Sequence, residues 1–150
     1  MNIHILTSKH PLTHGHRGFM NVGLWTCQVI LAVIFCMAGY MKAFTSMESL
    51  AMSMPWTEDV PMMLVRFIGI CELAGAIGIL LPDLTGIKPR LTPMAGIGLT
   101  TLMFLALIFH VSRGEYMYVL PPVILGAMAY FVAWGRAFKE PLDEAQERRL

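Results

Sequence analysis

The stretch FIGICELAGAIGILL, Phe67–Leu81, decides how the chain reads. Its side chains are apolar or small except for Glu72, near the middle. With the residues from Met62 onward it approaches the ~20 positions a helix needs to cross about 30 Å of hydrocarbon. Backbone amides cannot go unpaired in lipid, so a run this apolar is a helix. A carboxylate placed there is expensive, and is therefore paired, protonated or functional. Fold and candidate site both start from this segment.

Three more runs share its character: Val22–Phe44, Thr92–Phe109 and Tyr118–Trp134. Over 150 residues the chain is 56% hydrophobic and only 14% charged, which leaves too little polar surface for a soluble globule. The fold class is all-α: an integral membrane four-helix bundle spanning 22–136, with tails at 1–21 and 137–150. The first run is too long for a signal peptide, no small-residue cleavage site follows it, and Lys42 lies at its far end. It reads as a retained helix. Net charge is +1, and the basic residues sit scattered at helix ends, which excludes a nucleic-acid partner. The lipid bilayer is the expected surrounding, with other membrane subunits or self-association as protein partners.

Loop charge sets the expected orientation. Lys9 and Arg17 precede the first span, Lys88 and Arg90 separate the second and third, and Arg136, Lys139, Arg148 and Arg149 follow the fourth. The opposite side carries Arg113 and Lys42 against Glu48, Glu58 and Asp59. The positive-inside rule puts both termini in the cytoplasm, for a multi-pass protein of the inner cell membrane. Trp25 and Trp134 then mark the inner interface, and Trp56, Tyr116 and Tyr118 the outer one.

Prolines and glycines punctuate the helices. Pro61 and Pro93 suit first turns, Pro82 follows the second span, and Thr85-Gly86 marks a tight inner loop. Pro121-Pro122 either starts the fourth helix, leaving it short, or kinks it. In the first outer loop, Thr45-x-x-Glu48 has capping-box spacing, and Met47, Leu50, Ala51 and Met54 recur at helical intervals. That predicts a short amphipathic helix on the outer membrane face. Residues 1–21 read as poorly ordered, and Glu140–Leu150 as a charged tail.

Helix direction gathers the ionisable residues. Lys42, Arg66, Glu72, His110, Arg113 and Glu115 all fall in the outer half. At the helical rise, Glu72 lies roughly 15 Å deep, Arg66 about 6 Å and Lys42 about 3 Å. Side chains lean toward their helix N-terminus, so Glu72 leans outward and Lys42 inward, and the two meet across the first and second spans. Arg66 is the poorer partner, about 120° away around the helix from Glu72. One reading of this cluster is a structural ion pair that locks helix packing, with Lys42 partly snorkelling. Another is a small polar cavity open to the outside, which binds a quinone headgroup or carries protons, with Glu72 and His110 as candidate catalytic groups. A third is a partner-subunit interface. Gly69, Gly75 and Gly78 share a ridge with Glu72, and Gly39, Gly96 and Gly98 offer similar close helix approach.

The remaining chemistry is sparse. Cys27, Cys36 and Cys71 form no C-x-x-C and read as buried structural thiols. Met52, Met54, Met62 and Met63 have the softness for Cu(I), but packing explains them more simply. His4, His10, His14 and His16 lack a neighbouring carboxylate or cysteine, so no metal site is expected.

In order along the chain, Ala38-Gly39-x-x-Lys42, Met54-Pro55-Trp56, Arg66-Phe67-x-Gly69-x-x-Glu72-x-x-Gly75-x-x-Gly78 and Leu81-Pro82 form a pattern. It continues through Leu91-Thr92-Pro93 and Phe109-His110-x-x-Arg113-Gly114-Glu115. From about Cys27 to Arg136 the chain resembles the DoxX-like proteins of the wider DoxX/DoxD group. The resemblance implies a four-helix integral membrane protein. Some relatives are linked to quinone-dependent sulfur oxidation or to membrane oxidoreductase assemblies. The sequence holds no haem-ligand pair, iron–sulfur cysteine set or dinucleotide fingerprint, so no cofactor is evident in it and an electron carrier would come from a quinone or a partner. The leading expectation is an accessory or assembly subunit without catalysis of its own, held together by Lys42–Glu72. The alternative is a quinone-interacting oxidoreductase subunit in which His110 and Glu72 handle protons and Arg66 or Lys42 stabilises quinone oxygens. A small-solute or proton pathway through an oligomer is more distant.

Overall fold

A computed structural model describes residues 14–139, with side chains described for 18–138. The helices are α1 (His14–Phe44), α2 (Met47–Ser53), α3 (Met62–Thr85), α4 (Leu91–Ser112) and α5 (Leu120–Trp134). Four stretches are long and apolar enough to cross a bilayer: Gly18–Phe44, Met62–Thr85, Leu91–Ser112 and Tyr116–Phe138. Among the described residues there is no strand. The architecture is an all-α, four-helix membrane bundle. α1 packs on α3, α3 on α4, α4 on α5, and α5 closes the ring on α1. Short connections make α3, α4 and α5 consecutive antiparallel neighbours, while α2 and a 3-10 turn bridge α1 to α3.

The middle of the bundle is apolar, built from Leu31, Phe35, Ala76, Ile79, Leu99, Met103, Ala129 and Val132. Apolar burial cannot by itself drive association in lipid, so small residues matter at the crossings. A Cβ on Gly39 would stand 2.8 Å from the Gly69 carbonyl, and one on Gly69 would stand 2.7 Å from the Ala43 nitrogen. The backbones of α1 and α3 touch there. Gly75 faces Leu99, Gly78 faces Ala95, and Gly96 faces the Ala129 carbonyl and Ala133. Gly98 differs from the expectation: open space surrounds it. Two residues beyond Gly96 is about 200° of helix rotation, which turns it away from α5.

Several boundaries move. α1 begins at His14, so residues 14–21, expected in the tail, are helical. α3 runs through Pro82 to Thr85 and ends on Gly86 at φ 70, a left-handed cap that suits glycine. α5 starts at Leu120 with its prolines in the first turn, so they begin the helix rather than kink it. A 3-10 turn at Tyr116–Tyr118 and a π-turn at Gly135–Lys139 extend that short helix to spanning length. The N-cap of α2 is Ser46, one residue past the expected Thr45. Its hydroxyl accepts from the Ser49 nitrogen at 3.3 Å. Leu50 is fully buried, so the apolar side of α2 turns toward the bundle. Cys36 is exposed while Cys27 and Cys71 are half-buried, against the expectation of three buried thiols. Residues 1–13 and 140–150, and the side chains of His14 and His16, lie outside the described residues, and the readings of the tails and the histidine run fall with them.

Candidate functional site

Lys42 follows Gly39 by three residues on α1, and Glu72 follows Gly69 by three on α3. The close crossing of those glycines brings the two charges face to face. Lys42 Nζ donates to Glu72 Oε1 and Oε2, each at 2.8 Å. The side chains are only 9% and 4% exposed. Arg66 does not join them. Its Nη1 donates to the Lys42 carbonyl at 2.7 Å, which satisfies one of the orphan acceptors in the last turn of α1.

The second half of the site is built by the end of α4. Gly114, at φ 71, closes a Schellman turn. Its nitrogen donates to the Val111 carbonyl at 3.0 Å, and the Glu115 nitrogen donates to the His110 carbonyl at 2.9 Å. That turn folds the chain back so that residues five apart meet. His110 Nδ1 lies 2.7 Å from Glu115 Oε2, and Arg113 Nε donates to Glu115 Oε1 at 2.6 Å. Arg113 also donates to Asp59, which ties the α4–α5 turn to the 3-10 turn Pro55–Asp59. The hydrogen bond from His110, reinforced by Arg113, holds the Glu115 carboxyl below the usual carboxylate range. Its bond to Glu115, then that to Asp59, pushes Arg113 further up.

Between these halves lies a cavity of about 450 Å³. Lys42, Glu72 and His110 line it, among Phe35, Phe67, Leu102, Phe109, Tyr118 and other mostly apolar groups. Trp56, expected at the outer interface, lies against the rings of Phe109 and His110, with centroids at 5.8 and 6.3 Å. It forms part of the cavity wall. Of the six ionisable residues singled out in the sequence, three reach the cavity; Arg66 holds the Lys42 carbonyl, Glu115 holds His110, and Arg113 holds Glu115 in turn. Among the described residues no group of His, Cys, Asp and Glu is arranged to hold a metal ion.

A second buried polar network, at the other end of the bundle, was not foreseen. Arg136 pairs with Asp83 at 2.8 Å, both side chains 1% exposed. Gln28 Nε2 donates to Asp83 Oδ2 at 2.8 Å and to the Ile79 carbonyl at 2.7 Å, and its oxygen accepts from Arg136. The Thr92 hydroxyl donates to Asp83 Oδ1, and the Arg136 guanidinium sits 5.1 Å from the Trp25 ring centre. The π-turn after α5 supplies Arg136, so a residue counted as a loop charge is buried. Gln28, a lone amide in an apolar span, was the overlooked signal. Asp83 was hidden because Pro82 reads as the end of a helix.

A match to the DoxX-like family covers residues 26–132. No curated protein and no solved structure matches the chain.

Proposed function

We propose that this chain, which belongs to the DoxX-like family, is a small integral membrane subunit that binds a quinone-class ring in the cavity between Lys42, Glu72 and His110. The observation that carries this reading is an apolar, aromatic cavity on whose wall polar functions of Lys42 and His110 stand open. Its volume, about 450 Å³, is in the range of small-molecule sites. A lysine ammonium has three donors, and Lys42 uses two on Glu72. The third is open to a ring oxygen. His110 presents a ring whose Nε2 no protein group among the described residues engages. The aromatic wall of Trp56, Phe109 and Tyr118 suits a flat, largely apolar molecule. Glu72 holds the ammonium in place. Electron transfer to or from such a ring belongs to a partner subunit. With both termini in the cytoplasm of an inner membrane, the cavity faces the outer half.

Titration of the purified protein with a short-chain benzoquinone, followed by tryptophan quenching, tests this. Saturable quenching that weakens at least tenfold in Lys42→Met and His110→Ala supports the reading. Equal, non-saturable quenching in all three proteins sinks it.

A second reading, an accessory or assembly subunit without catalysis, is favoured by a different observation. Every buried side-chain polar atom among the described residues has a partner, and both buried ion pairs join helices. The charges are then internal ties. That reading predicts no quinone binding and the loss of a co-purifying partner when the chain is deleted.

A further inference from the structure

We infer that Glu115 is a positioning residue that holds His110 in the Nδ1–H tautomer, so that the cavity prefers a ring bearing a hydroxyl to one bearing only acceptors. This deepens the ligand-binding reading above and rests on it.

The two nitrogens of a neutral imidazole have opposite roles, fixed by what each one meets. Glu115 Oε2, 2.7 Å from Nδ1, is a carboxylate oxygen that only accepts. Arg113 Nε, donating to Oε1 at 2.6 Å, keeps that carboxylate charged and oriented. Nδ1 must then carry the proton. Nε2 is left as a lone pair, and the imidazole lines the cavity. The groups around His110 do not change this assignment. Trp56, Phe109 and Tyr118 pack on it through their rings. Asp59 meets it only through Arg113. Lys42 and Glu72, on α1 and α3 across the cavity, face each other, which leaves one ammonium proton and the outer lone pairs of the carboxylate.

On the cavity wall the donors are the third Lys42 proton, the Trp56 N–H and the Tyr118 hydroxyl, and His110 Nε2 is an acceptor beside the remaining lone pairs of Glu72. The Nε2 end is the part of the wall whose polarity Glu115 sets. A phenol or hydroquinone satisfies both Lys42 and Nε2: an oxygen accepts from Lys42 and a hydroxyl donates to Nε2. A dione or diether satisfies Lys42 and leaves the Nε2 lone pair facing another acceptor, an unmade hydrogen bond in an apolar site. Replacement of Glu115 by glutamine reverses the polarity. Arg113 still demands an acceptor, so the amide oxygen stays at the Oε1 position and the amide NH2 faces Nδ1. Nδ1 must then accept, and Nε2 becomes the proton-bearing nitrogen.

The test compares para-methoxyphenol with its methyl ether, para-dimethoxybenzene, two redox-inert probes of the same ring. Binding to the full-length protein in detergent is measured at about pH 8, above the ordinary imidazole range. In the wild type the phenol binds about tenfold more tightly than the ether, after correction for detergent partitioning, and Glu115→Gln lowers that ratio at least fivefold. Nitrogen-15 NMR of labelled histidine reads the tautomer directly, with the His110 signals identified by their loss in His110→Asn. Nδ1–H in the wild type and Nε2–H in Glu115→Gln support the assignment. An equal ratio in both proteins, or Nε2–H in the wild type, overturns it while leaving ring binding intact. If neither probe binds, the ligand reading itself fails, and the wild-type tautomer alone decides whether Glu115 positions His110. If Glu115→Gln does not fold, the wild-type ratio and tautomer decide.

Discussion

Lys42 on α1 holds both carboxylate oxygens of Glu72 on α3, three residues beyond the point where Gly39 and Gly69 bring the two backbones into contact. Removing one charge strands the other in a buried setting. Glu72→Leu alone should lower stability by about 3–5 kcal/mol, and a Lys42→Met, Glu72→Leu double variant should recover most of that loss. Detergent unfolding followed by circular dichroism measures it. Additive losses in the double variant would mean that the two residues act independently.

The glycine crossing makes a sharper steric prediction. Gly69→Ala pushes a methyl to 2.7 Å from a backbone nitrogen that cannot step aside. It should cost about 1–3 kcal/mol through overpacking. Gly98→Ala meets open space and should be neutral or slightly stabilising, because alanine is the better helix former. Comparable Tm losses for the two variants would contradict this assignment of the contact faces.

At the opposite end, Arg136→Met leaves Asp83 buried with only Gln28 and Thr92 to bond it. A loss of about 3–5 kcal/mol is expected from the stranded carboxylate. Adding Asp83→Leu to the same chain should restore part of it. A harmless Arg136→Met would show that the guanidinium is not the partner that makes Asp83 tolerable.

The Glu115 carboxyl is held below its ordinary range by His110 and Arg113, so folding favours its ionised form. Its contribution is therefore complete above the ordinary carboxylate range and is lost as pH falls through that range to the lowered value. The Tm of the wild type should fall between about pH 6 and pH 3, and the fall should be shallower in Glu115→Gln. Arg113, shifted further up, stays charged throughout and adds no slope of its own. Parallel Tm profiles for the two proteins would remove Glu115 as a source of the pH dependence.

The parts legible in the sequence are those with a one-dimensional signature. Apolar runs located four spanning helices, and opposite side-chain lean on antiparallel helices placed Lys42 against Glu72. Arg66 reads as the poorer partner for Glu72, and it bonds the Lys42 carbonyl instead, to which nothing in its spacing points. The His110–Glu115 pair depends on a left-handed Gly114, a turn geometry that the string Arg113-Gly114-Glu115 permits without specifying. Trp56 reads as an interfacial anchor because its contacts come from α4, far along the chain. The Asp83–Arg136 network stayed hidden for two local reasons: Pro82 does not end α3, and a π-turn carries Arg136 inward.

Occupation of the cavity between Lys42, Glu72 and His110 by a quinone-class ring can be read by photolabelling with an azidoquinone and mapping of the adducts by mass spectrometry. Saturable labelling of Trp56, Phe109, Tyr118 or their neighbours on the cavity wall, displaced by unlabelled quinone and lost in Lys42→Met, is the predicted result. Labelling confined to lipid-facing positions such as Phe104 or Ile97, without displacement, would contradict it.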